Sequence, residues 1–130
     1  MDVIIVEDSS QYRLAVKTFL EEGLGHSVIA DVPSCDDLIS ISNLSNAKLI
    51  LVGLKNNFAD NIQAICPVVN DYPHLKLIAL SMELHLQVIA DLFRLGFNGF
   101  ILKDRVFDEM STAINAVFCN NVYLPSSISH

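Results

Sequence analysis

Tryptophan is absent from this chain, and only 8 of its 130 residues are Lys or Arg, against 15 Asp or Glu. A formal charge of −7 argues against direct contact with nucleic acid, because phosphates attract dense Lys/Arg patches. Cysteine is sparse: Cys35, Cys66 and Cys119 are odd in number and contain no CxxC pair. That pattern speaks against a zinc or disulfide framework and for structural thiols in a reducing compartment. His26, His74, His85 and His130 show no metal-ligand spacing. No apolar run approaches the ~20 residues needed to cross a bilayer, and no signal-peptide pattern opens the chain. A soluble, cytoplasmic protein without membrane contact is therefore expected. A Ser/Thr/Gly-rich phosphate loop is missing after the first apolar run, and with no tryptophan to flank a flavin, an electron-carrier reading is set aside.

What is present is a 52% hydrophobic composition, consistent with one compact domain. Strand and helix signals alternate five times. Val3 to Val6 is a short β-branched run, followed by a helix from Ser9 or Ser10 to about Glu22, stopped by Gly23 and Gly25. Ser27 to Val32 reads as the second strand, and a short second helix is expected from about Cys35 to Leu44, opened by Ser34. Leu49 to Gly53 is continuous in apolar residues, the signature of a buried parallel strand. Asp60 is the natural cap of a third helix reaching about Tyr72, which Pro67 should bend or shorten. Leu75 to Leu80, Glu83 to Leu95, Gly99 to Leu102 and Val106 to Cys119 complete the series. Regular βα alternation implies a parallel sheet with helices on both faces. The tail from Asn120 to His130 loses the helical pattern and reads as a linker or a frayed terminus.

The carboxyl edge of such a sheet is where α/β proteins assemble their sites. Glu7 and Asp8 after the first strand, Ser81 after the fourth and Lys103 at the end of the fifth converge there. Two acids, a hydroxyl and an ammonium suit phosphoryl transfer to a carboxylate, yet the third strand ends in Gly53, which has no nucleophile. Glycine suits a close backbone approach instead.

The order of elements, Glu7-Asp8, Ser81 and GFILKD at the fifth strand resemble a response-regulator receiver domain of the CheY-like superfamily. LGFNGFILKD, Arg13 and VYLPSSIS are similar to the NarL/LuxR-type transcription regulators. The resemblance covers about residues 1 to 129. It implies a flavodoxin-like (βα)5 three-layer sandwich with sheet order 2-1-3-4-5, a receiver over residues 1–119, and a linker from 120 to a helix-turn-helix domain absent from this chain. It also implies that Gly53 occupies the phosphoacceptor position, and that Ser81, Phe100 and Lys103 hold the switch and phosphate-contact positions.

Further expectations attach to these residues. The domain is expected to be non-enzymatic, with no catalytic residue and no cofactor, and to regulate without phosphorylation. With one acid missing, Glu7 and Asp8 would bind Mg²⁺ weakly if at all; pairing of either with Lys103 would hold the site shut. Met82 at the pocket mouth would restrict a phosphodonor, and Lys55 either reaches the acid pair or stays solvated. Alternatives are a small-ligand site in the room vacated at Gly53, or a variant of a phosphoaccepting receiver. A homodimer is expected, either through the fourth helix, fifth strand and last helix, or through the first and last helices. The fourth helix is apolar on more than one face, which fits either a contact surface or deeper burial. Contact with DNA would come only through the absent C-terminal domain.

Overall fold

A computed structural model describes residues 1–55, 58–125 and 128, without the side chains of 58–62. Five parallel strands form one sheet in the order β2-β1-β3-β4-β5. They are β1 (Asp2–Val6), β2 (Ser27–Val32), β3 (Leu49–Gly53), β4 (Lys76–Ser81) and β5 (Gly99–Leu102). The helices are α1 (Ser10–Thr18), α2 (Phe58–Asp71), α3 (Leu86–Leu95) and α4 (Val106–Phe118).

Strand periodicity divides the core in two. Val3, Ile5, Leu49, Leu51, Ile78, Leu80 and Ile101 pack with Val16 of α1 and Met110, Ala113 and Val117 of α4. Their immediate neighbours, Ile4, Val6, Ile50, Val52, Leu77, Ala79 and Phe100, face Ile65 of α2 and Ile89 and Leu92 of α3. Because successive strand residues point to opposite faces, a strand apolar throughout must be covered on both sides. This is the three-layer arrangement of the CheY-like receiver fold, with the expected strand order.

The helices depart from expectation in detail. Ser9 caps α1, its hydroxyl accepting from the Tyr12 amide at 3.3 Å, but α-geometry ends at Thr18 and a π-turn, Phe19–Gly23, finishes the segment. The expected second α-helix is instead two 3₁₀ turns, Cys35–Ser40 and Leu44–Asn46. The stretch is rich in poor helix formers (Ser40, Ser42, Asn43, Ser45 and Asn46), and Ile39 faces solvent, so no apolar stripe repays a longer helix. Ser34 does open the first of these turns, accepting from the Asp36 amide. Asp60 is not a cap, since α2 already begins at Phe58; Pro67 does not shorten the helix, which runs on to Asp71. Pro67 and Gln63 both lie on the exposed side of the helix, where a missing N–H is tolerated. The fourth expected helix begins at Leu86 rather than Glu83, because the Ser81 hydroxyl donates to the Glu83 carbonyl and holds that turn out of the helix. Gly96 ends it at φ +112°, as its position suggested.

The apolar residues of this helix divide between the core and the surface. Ile89 and Leu92 are buried, whereas Leu86 is 68% exposed and lies near exposed Leu84 and Met82 in sequence. Among the described residues no helix is long and apolar enough to cross a membrane.

Candidate functional site

Val6 and Val52 are register partners at the carboxyl ends of β1 and β3, so Glu7 emerges beside Gly53. Its side chain turns inward over the glycine. A β-carbon built on Gly53 would fall on the Glu7 Oε1 atom, and would lie 2.9 Å from its carboxyl carbon and 3.2 Å from the Val6 carbonyl. Real β-carbons do not approach that closely. The absent side chain at position 53 is thus the space in which the Glu7 carboxylate rests.

From across the sheet edge, Lys103 Nζ donates to Glu7 Oε1 at 2.7 Å; the two side chains are 11% and 1% exposed. The other carboxylate oxygen accepts the Ser9 amide at 2.9 Å. Tyr12 covers the pair. Lys103 Nζ sits 5.2 Å from its ring centre, and its hydroxyl donates to the Lys103 carbonyl at 2.9 Å. Burial, then the charges of Glu7 and Asp104, pushes the Tyr12 hydroxyl well above the usual tyrosine range, so it remains a neutral donor. Arg13 Nη1 donates to the Glu7 carbonyl while its Nε pairs with Asp31 at 3.1 Å, pinning the turn after β1 to β2. A buried carboxylate is tolerable only with such company, because desolvation costs several kcal/mol per ion.

Glu7 therefore takes the lysine, and Asp8 is left exposed. This arrangement does not fit a magnesium ion. One carboxylate oxygen of the expected acid pair is committed to an ammonium and the other to an amide, and Asp8 alone remains. Nor does the room vacated at Gly53 remain for a ligand, because Glu7 fills it. That speaks against the alternative of a small-ligand site at Gly53.

The other expected members are positioned by the same edge but do not join the pair. Ser81 is in a turn of its own, donating to the Glu83 carbonyl at 2.8 Å and accepting the Glu83 amide at 3.3 Å. Lys55 is exposed and lines a cleft of about 370 Å³ with Ser81, Met82 and His85, rather than extending to the acids. Met82 stands at the rim of that cleft, 75% exposed. Phe100 is fully buried in the core beneath. Tyr12 and the Ser9 amide were not singled out from sequence. Both lie in the segment after β1, where any βα protein has a helix cap and first turn, so nothing in the string marks them.

Among the described residues, no group of three or more His, Cys, Asp or Glu could hold a metal ion. No protein-family model matches the chain. Along its whole length it is similar to the transcriptional regulatory protein DegU of Brevibacillus brevis, 21% identical over 130 residues, covering 100% of this chain and 55% of that protein. A glycerol metabolism activator of Pseudomonas putida is 25% identical over 127 residues, covering 97% of this chain and 58% of that protein. The isolated receiver domain of RcsB from Salmonella enterica serovar Typhimurium, in its apo form, superimposes with a TM-score of 0.83 at 23% identity, covering 98% of this chain and 94% of that one. RcsB has also been solved as dimers bound to DNA. The chain is thus similar in sequence to response regulators and shares the fold of their receiver domains. The chain spans little more than half the length of the curated relatives it matches.

Proposed function

We propose that this domain is a phosphorylation-independent receiver, a regulatory and dimerising module of a cytoplasmic two-component-type transcription regulator. The observation that carries this reading is the Glu7 carboxylate seated over Gly53 and held by Lys103. In a phosphoaccepting receiver the lysine would answer a phosphorylated side chain at that place. Here its charge is already met, and the position offers no oxygen to attack phosphorus. The site at Gly53 is held in one state, and the domain acts by contact.

The surface between α1 and α4 is the better candidate for self-association. Leu14 of α1 is 63% exposed, and Phe107 and Phe118 of α4 are 48% and 40% exposed. The edge of Phe19 meets Phe107 at 5.2 Å, so apolar groups of both segments come together. By contrast, the outer edge of β5 is partly covered by the chain itself. DNA contact would then be delegated to a helix-turn-helix domain beyond the tail, in keeping with the charge of −7.

Incubation with acetyl phosphate and Mg²⁺, followed by intact mass measurement, should leave the mass unchanged. A stoichiometric gain of one phosphoryl group on a carboxylate would overturn the proposal.

A further inference from the structure

The stretch expected to begin a linker is built into the domain. After α4, Asn120 adopts φ +62° and reverses the chain. Tyr123 then lies alongside β5 in a parallel bridge with Gly99. Its amide donates to the Asn98 carbonyl at 2.9 Å, and its carbonyl accepts the Phe100 amide at 3.0 Å. Gly99 permits the approach, since a β-carbon there would meet Ile78 Cγ1 at 3.2 Å and Tyr123 Cβ at 3.4 Å. The side chains alternate as those of a strand do. Tyr123 packs on the layer of α1 and α4, and Leu124 on the layer of α2 and α3. Pro125 is buried, and Ile128, whose amide donates to the Pro125 carbonyl at 3.0 Å, packs on the α2 and α3 layer again.

Glu109 of α4 ties this segment down from the side. It is 7% exposed, and both of its oxygens are engaged. Oε1 accepts the Tyr123 hydroxyl at 2.6 Å, and Oε2 accepts Arg105 Nε at 3.3 Å. A hydrogen bond to a carboxylate is stronger than one between neutral groups. Burial, then the bond to Glu109, pushes the Tyr123 hydroxyl up to about 12, so it stays a donor.

We propose that residues 121–125, with Ile128, are a clasp that opens only when the whole domain unfolds, so that the chain leaves the receiver from a fixed point on β5 and α4. Segments that open locally have few apolar contacts and solvent-exposed hydrogen bonds. This one touches both core layers and is bonded to β5 and to a buried group of α4. The folded unit then reaches past the last helix, and a domain that follows is carried in a set orientation rather than on a slack tether. That consequence rests on the regulator reading above; the clasp itself does not, and its test involves no phosphate, so the two can fail separately.

Hydrogen exchange on the full chain supplies the test. The amides of Tyr123 and Phe100 should exchange with the same opening free energy as those of Ile4 and Ile50 in the central strands. Urea should lower all four with one slope, the mark of a shared global opening. Tyr123→Phe removes only the bond to Glu109, and all four rates should then rise together by roughly tenfold or more, the loss of a hydrogen bond to a charged group. Backbone order parameters at Tyr123 and Leu124 should be about 0.85, as in rigid backbone. The clasp is overturned if Tyr123 and Phe100 exchange at a smaller free energy that urea leaves unmoved. It is overturned equally if Tyr123→Phe leaves all four rates unchanged, or accelerates the amides at 123 and 100 while Ile4 and Ile50 keep theirs. Order parameters below about 0.6 at Tyr123 or Leu124 would identify a frayed tail instead.

Discussion

Lys103→Met should lower the stability of the domain by about 3–5 kcal/mol, the cost of leaving a buried charge without its partner. For a chain of this size that corresponds to a melting temperature lower by roughly 11–18 °C. The cause is the placement of Glu7. Its side chain is 1% exposed, so water cannot replace the ammonium, and the Ser9 amide alone remains to meet the charge. A further result should accompany the loss. The double variant Glu7→Leu/Lys103→Met should recover most of the stability, since an apolar pair of similar volume often matches a buried ion pair. Thermal melts of the four proteins in the cycle supply the coupling energy. A single Lys103→Met variant within about 1 kcal/mol of wild type, the range of a solvent-screened pair, would mean that the pair is hydrated and locks nothing.

The fold was largely visible in the string because its strands advertise themselves. Leu49 to Gly53 is apolar at every position, and both faces of β3 are in fact covered. Helix ends were harder, for local reasons. Ser81 looks like a site hydroxyl, yet it closes a turn that delays α3, and Cys35 to Asn46 is rich in Ser, Asn and Asp, which favour turns over a regular helix. The site was half legible. That Glu7 or Asp8 would pair with Lys103 followed from charge and topology, but which of them did not. Spacing cannot show it: the choice is made by a β-carbon missing on another strand, far away in sequence and adjacent in space. The bridge of Tyr123 to Gly99 went unread because Val122, Tyr123 and Leu124 are too short a run to declare a strand, and Pro125 follows at once.

Gly53→Asp puts that missing β-carbon back, and the outcome should separate a seat for Glu7 from a mere gap. A gap would accept the aspartate at little cost. A seat cannot, because the new side chain collides with the Glu7 carboxylate, and two acids would then compete for Lys103. We expect a loss of roughly 1–3 kcal/mol from overpacking, increased by the like charges. We expect the displaced Glu7 to swing outward toward Asp8, which is exposed. There, with the new aspartate, three carboxylates would gather where wild type presents one uncommitted acid. Mg²⁺ should consequently raise the melting temperature of the variant in proportion to the logarithm of its concentration while leaving wild type unmoved. Adding Glu7→Ala to Gly53→Asp should recover stability in the absence of magnesium, because the collision is gone and the introduced aspartate inherits the lysine, and should blunt the response to the ion. If Gly53→Asp instead melts with wild type and ignores magnesium, Glu7 does not reside over the glycine. The lock on which the contact-only reading depends would then have no physical basis.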